Sequence, residues 1–350
     1  MRGLLPGIVA TALLGLGAWA AGPYVPLAGA PLVALAAAAL LRNVRGLPPA
    51  WRPGVEFTVK RLLRLAIVLF GTTLSLREVL ATGGGALLLI AVTVLAALAF
   101  TTSFGAWLRA PARLTGLIGV GTAICGATAI ITIGPVLQSS AEEITFAVTT
   151  IFLFNALAVA VYPVLGHLLG LSDRLFGLWA GTAIHDTSSV LAAAYAYSDP
   201  AGQVATVVKL TRTLMLVPLA LAIALAVSYR RASDRKAGDG RPGGEQADGG
   251  QAGGGQAAGA PVRLAAIFPW FVLWFAGAAL LHSVGVLPPA LVRALGLAGK
   301  FLVVMVMAAV GLGADAAAMR RLGMRPLLIG LAAAVVIAAL SLTLAQWLES

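Results

Sequence analysis

Charge, cysteine and polar surface are all scarce in this chain, and each shortage excludes something. Of 350 residues, 11% are charged and 60% are hydrophobic. A soluble domain carries about 25% charged residues, and a chain with so few cannot cover a water-facing surface. Its solvent is therefore lipid. The single cysteine, Cys125, excludes an internal disulfide. No zinc-type His-Glu-x-x-His pair, Walker loop or Gly-x-Ser-x-Gly elbow occurs. The residues therefore predict no metal, no cofactor and no catalytic set, and they offer no loop for driving transport directly with ATP.

What is present is apolar and long. Runs such as Leu327 to Leu344 favour membrane helices, which need roughly 20 apolar residues, over the short alternating strands of a membrane barrel. The expectation is an all-α polytopic membrane protein with about eleven transmembrane helices. The segments are Leu4–Ala21, Val25–Leu41, Leu62–Leu80, Ala86–Leu108, Leu114–Leu137, Ile144–Leu169, Leu175–Tyr197, Val204–Tyr229, Leu264–His282, Leu295–Ala314 and Pro326–Leu348. The first carries an Arg ahead of its apolar run, like a signal peptide, but is read as a retained helix. Residues 230–261 are rich in Gly, Ala, Gln and charge, with no large apolar side chain, which predicts a disordered cytoplasmic linker. It separates a block of eight helices, residues 1–229, from a block of three, residues 262–350.

The net charge of +11 does not point to nucleic acid, because the basic residues sit in loops and helix ends, as the positive-inside rule describes. Arg42, Arg45, Arg52, Lys60, Arg61, Arg109, Arg113, Arg174, the 230–241 cluster, Arg320, Arg321 and Arg325 all fall on one side if all eleven segments span. The loops 22–24, 138–143 and 198–203 fall on the other and carry no Lys or Arg; Arg77 and Arg293 are exceptions. This orientation puts the N-terminus in the cytoplasm and the C-terminus outside a bacterial plasma (inner) membrane. A faint likeness between Leu69–Leu74 and Met307–Leu312, on segments running in opposite directions, suggests an inverted repeat, a device common in secondary transporters.

Two segments carry the chemistry. The fifth holds Gly121-Thr122-Ala123-Ile124-Cys125-Gly126 and the seventh Gly181-Thr182-Ala183-Ile184-His185-Asp186-Thr187. Both contain Gly-Thr-Ala-Ile near mid-span. Glycine-interrupted segments mark unwound helices at transporter binding sites, although small residues also serve plain helix packing. A mid-membrane carboxylate costs about 2.5–3.5 kcal/mol on insertion scales, which favours a working role for His185 and Asp186 over a structural one. Asp186 is suited to cap a half-helix starting just after it, and exposed amides at such a start attract anions. His185 is the pH-sensitive group of the pair. In the eighth segment Lys209 and Arg212, three residues apart, share one helical face with Thr206 and Thr213 nearby. These two cations need counter-charge, for which Asp186 and a substrate anion are the candidates; snorkelling is the alternative, easier for Lys209 than for Arg212. Asn155 is one more polar group in an apolar run, equally suited to helix packing.

The combination of Ala123-Ile124-Cys125-Gly126, Gly181 to Thr187 and Lys209-Leu210-Thr211-Arg212 resembles the YeiH-type sulfate-exporter family of bacterial inner-membrane proteins. The likeness extends to Leu65–Leu74, Lys300-Phe301 and Ala309–Leu312, and so covers most of the chain; the long linker and the first helix depart from it. The resemblance implies an inverted-repeat fold with two crossed broken helices, distantly like sodium–proton antiporters and bile acid symporters, and sulfate or an organosulfonate as cargo. The expectation is a secondary transporter, exporter or exchanger, of a small inorganic or organic anion, coupled to protons. Gly121, Thr122, Cys125, Gly126, Thr182, Thr187, Lys209 and Arg212 would bind substrate, and His185 and Asp186 would couple the ion. The partners expected are the anion, the lipid bilayer and further copies of the chain in a homo-oligomer. The alternatives are a cation–proton antiporter using Asp186 and an intramembrane enzyme using His185 as base.

Overall fold

The computed structural model describes residues 3–25, 29–223, 225, 268–317 and 324–349. The 230–261 linker lies outside the described residues, as do Arg320 and Arg321. Among the described residues the fold is helical with no strand. Helices α1 (Leu5–Ala21) and α2 (Gly29–Arg45) are followed by α3 (Arg52–Phe57), which runs through a π turn, Thr58–Leu62, into α4 (Leu63–Gly71). Next come α5 (Leu76–Gly85), α6 (Leu87–Trp107), α7 (Ala112–Ala123), α8 (Ala127–Ile133), α9 (Ala141–Leu168), α10 (Asp173–Ala183), α11 (Thr187–Tyr197) and α12 (Asp199–Leu214), whose apolar course continues to Ile223. The last three are α13 (Phe271–Ser283), α14 (Pro289–Gly313) and α15 (Met324–Glu349). Short polar loops set several starts. Ser75 and Ser140 each accept the amide of the Glu three residues on, Glu78 and Glu143, whose carboxylate returns the bond. Ser172 and Ser198 cap α10 and α12.

Six helices, α1, α6, α9, α12, α14 and α15, are long and apolar enough to cross a bilayer alone, and the bent pair α3–α4 with α5 makes up to seven. The chain is therefore a multi-pass, all-α membrane protein, but eleven straight spans are not what it forms. The third expected segment turns by 110° between Gly71 and Leu76. The fifth and seventh do not cross; each folds back on itself. In the seventh, Ser198 just past α11 donates to Asp173, the first residue of α10, at 2.6 Å, and Tyr197 stacks on Phe176 with ring centroids 3.9 Å apart. In the fifth, the Leu137 side chain beyond α8 reaches Gly116 in the second turn of α7, and Ile130 closes on Gly121. Each pair is a re-entrant hairpin with its tip inside the molecule.

The two hairpins enter from opposite ends. Helix α15 has 26 residues, about 39 Å at 1.5 Å per residue. Arg325 at its start donates to the Arg109 carbonyl beside the mouth of the α7–α8 hairpin, whereas Glu349 at its far end pairs with Arg174 at the mouth of the α10–α11 hairpin. Two loop placements are thereby corrected. Residues 138–143 share an end with Arg109 and Arg325, and Arg174 shares the opposite end with Ser198. A helix can reverse this way because the break releases backbone groups that another element then satisfies.

Two packing groups surround the tips. Helices α1, α2, α3–α4, α13 and α14 pack on one another, and α6 to α10, α12 and α15 form the second group. Within the first, Gly7 faces Gly54 so closely that a Cβ on Gly7 would sit 2.7 Å from the Gly54 Cα, the close approach that small residues permit in membranes. Helix α11 touches both groups, and α5 lies between α12 and α13.

Candidate functional site

Each hairpin tip begins where a helix ends and its last carbonyls lose their amide partners. In lipid such groups are costly, so another element must serve them. Helix α12 supplies the donors. Lys209 Nζ donates to the Ile124 carbonyl at 3.1 Å and the Ile184 carbonyl at 2.7 Å, one from each tip. One turn on, Arg212 Nε donates to the Ala123 carbonyl at 2.7 Å and Nη2 to the Thr122 carbonyl at 2.6 Å, while Nη1 reaches the Thr182 carbonyl. Both side chains are 0% exposed. The guanidinium fork thus ties α7 to α10 through three carbonyls, one more than the Lys209 ammonium serves. The negative ends of two helix dipoles face the two cations, which lowers the cost of burying them.

This corrects the expected counter-charge. Neither cation forms an ion pair with Asp186 or any other described carboxylate. Nor does either snorkel. Their expected placement on one helical face is present, and the backbone of both tips is what that face meets.

Beyond the breaks the chain restarts in two ways. Gly126 precedes α8 with φ +66°, a region that favours glycine, and its N–H donates to the Gly121 carbonyl at 3.0 Å. Asp186 precedes α11 and caps it as expected, accepting from the Ser188 and Ser189 amides at 2.9 and 3.3 Å and from the Ser188 hydroxyl. Of the two amides expected to cradle an anion, that of Gly126 is taken by its own hairpin, whereas that of Thr187 is not among those that Asp186 accepts, which are Ser188 and Ser189. Asp186 and Thr187 are nevertheless half-buried, and form the part of this tip that meets accessible space.

The tips touch. A Cβ on Gly126 would lie 3.5 Å from the Asp186 Cβ and 3.7 Å from Asn155 Nδ2. Asn155, on α9, was not among the expected site residues. Its Oδ1 accepts the His185 and Asp186 amides, each at 3.2 Å, and so fixes the second tip against α9. Its only signal in the sequence was a polar amide in an apolar run. His185 is 3% exposed, and its Nδ1 has no hydrogen-bond partner; Thr122 Oγ1 is likewise buried without one. Cys125 is buried at the first tip. Gly121 serves close packing, since a Cβ there would clash with Ile130 and Ile151. The Thr182 hydroxyl bonds the Leu178 carbonyl at 2.6 Å and the Ser341 hydroxyl on α15, so it anchors the hairpin. Among the described residues no group of His, Cys, Asp or Glu could hold a metal ion.

The chain is similar to UPF0324 membrane proteins from several bacteria. It is 34% identical over 326 residues to one from Clostridium tetani, covering 93% of this chain and 91% of the relative. It is 35% identical over 355 residues to one from Streptococcus pyogenes serotype M18, with 98% of each covered, and 33% identical over 346 residues to one from Streptococcus mutans, covering 97% and 95%. The family model described as Conserved hypothetical protein 698 matches residues 6–330, almost the full course from α1 into α15 and both hairpins with it. This chain therefore belongs to the Conserved hypothetical protein 698 family of membrane proteins.

Proposed function

We propose that the protein is a secondary transporter, an exporter or exchanger, of a small anion such as sulfate or an organosulfonate. The observation that carries this is the charge at the meeting of the hairpins. Lys209 and Arg212 are wholly buried, and the one carboxylate at the tips, Asp186, is half-buried. The breaks expose two helix C-termini and two N-termini, whose partial charges of about half a unit each largely cancel. One positive charge is left over, and an anion completes it. Lys209 uses two of its three donors on carbonyls and keeps one. Because both cations hold the tips together, an anion arriving there competes for the groups that fix the hairpins, which links binding to their movement. His185 and Asp186, side by side at the second tip, are the groups for proton coupling.

The orientation belongs to the same proposal. Arg42, Arg45, Arg52, Lys60, Arg61, Arg109, Arg113 and Arg325 lie toward one end, and Arg77, Arg174 and Arg293 toward the other. The positive-inside rule makes the first end cytoplasmic, with the N-terminus inside and the C-terminus outside a plasma membrane.

Uptake of labelled sulfate, sulfite and taurine into proteoliposomes, with and without a pH gradient, tests the reading; accumulation of none of them overturns it. The half-exposed Asp186 also favours a second reading, a cation–proton antiporter. Asp186→Asn separates the two. An anion carrier keeps anion binding and changes its pH response, whereas an antiporter loses transport altogether.

A further inference from the structure

We infer that the protein binds an amphipathic organic anion, its tail lying in a lipid-facing groove that ends at His185 and Asn155. This rests on the anion reading above and narrows its substrate class. The groove runs between α9, α10 and α15 and encloses about 370 Å³. Its body is apolar, built from residues such as Tyr162, Trp179, Val335 and Leu342. Val335 on its rim is 59% exposed, so the opening faces the hydrocarbon rather than water. Its inner end is polar. Asn155 and His185 both line it, and they are 4% and 3% exposed.

Both of these lining residues have unused hydrogen-bonding capacity. Asn155 accepts two backbone amides through Oδ1, which fixes which end of the amide is nitrogen, and Nδ2 makes none of the hydrogen bonds found among the described residues. His185 Nδ1 is buried without a partner. Unpaired polar groups in a buried site are costly and call for an occupant that pairs them. A purely apolar guest leaves them unpaired, and inorganic sulfate leaves the apolar walls without contact. An oxyanion headgroup on an alkyl chain meets both ends, with the surplus positive charge of Lys209 and Arg212 just behind. Apolar walls with a few convergent polar groups are the ordinary form of a small-molecule site.

The test uses the full chain in phosphatidylcholine nanodiscs, with octane-1-sulfonate, inorganic sulfate and 1-octanol as probes. Octane-1-sulfonate is expected to bind about tenfold tighter than sulfate, because the chain adds buried apolar area. Ala334→Phe and Ala339→Phe fill the groove from α15 at half-buried and exposed positions, which tolerate a larger side chain. Each is expected to weaken octane-1-sulfonate by about tenfold while sulfate is unchanged, since overfilling removes the space and not the charge. Asn155→Asp keeps the accepting oxygen and removes the donor, and is expected to weaken octane-1-sulfonate but not octanol. Unchanged octane-1-sulfonate affinity in both folded Phe variants overturns the inference, and so does octanol competing as well as the sulfonate, which would make the groove a lipid-chain site. Sulfate binding without octane-1-sulfonate binding overturns the groove alone; binding of neither overturns the anion reading with it.

Discussion

At the residue scale the site depends on two cations whose work is mostly structural. Arg212 serves three carbonyls on two hairpins, so Arg212→Gln orphans buried acceptors, each costing about 1–3 kcal/mol. The expected result is a lower melting temperature in detergent together with lost anion binding; binding lost at unchanged stability would assign the guanidinium to the anion and not to the tips. Arg212→Lys should recover the charge but not the bridge, and so regain part of the binding and little of the stability. Gly126→Ala places a Cβ at φ +66° and 3.3 Å from Ile151 Cγ2. It should cost about 1–2 kcal/mol, seen as a lower melting temperature.

At the element scale, the reversal of the fifth and seventh segments changes which loops share a side. Glu142→Cys should react with an impermeant thiol reagent from the cytoplasmic side, and Arg174→Cys from outside. Native Cys125 is buried, so the introduced thiol reports alone. Eleven crossings would give the opposite pattern for both positions. The positive-inside count was a weak guide here because two missed crossings cancel: the ends of the chain keep their sides while only the loops between α8 and α10 change theirs. What the sequence did show was the repeated Gly-Thr-Ala-Ile phrase. It ends the inward arm of each hairpin, in α7 at Ala123 and in α10 at Ala183, although the backbone then leaves the two helices differently.

At the scale of the whole molecule, movement of one packing group against the other has a few identifiable ties. Lys300 on α14 pairs with Asp199 at the start of α12 at 2.7 Å, Phe70 stacks on Tyr195 with centroids 4.3 Å apart, and Gln203 reaches the Thr73 carbonyl. All three lie toward the end of the molecule that holds Arg174. Cysteines at 199 and 300 joined by a short bifunctional thiol reagent should stop sulfate turnover in proteoliposomes while leaving sulfate binding in place. Full turnover after complete cross-linking would show that transport needs no opening there.

Composition alone determined the solvent, and with it the class, since too few polar side chains existed to face water. Pattern alone determined where most of the apolar helices are, and two of the segments that break, because Gly-Thr-Ala-Ile followed by Cys-Gly or His-Asp is a poor continuation of an apolar helix; the bend of the third segment after Gly71 was not read from it. The run Asp186-Thr187-Ser188-Ser189 likewise showed that a helix restarts after Asp186, because an N-cap acts within its own turn. Only the tertiary structure decided that the broken segments fold back, since a break frees the direction of the chain without choosing it. It also decided the partners of Lys209 and Arg212 and the place of Asn155. Those contacts join residues 25 to 90 positions apart in the chain, and whether a buried cation meets a carboxylate or a row of carbonyls depends on which helix ends converge on it.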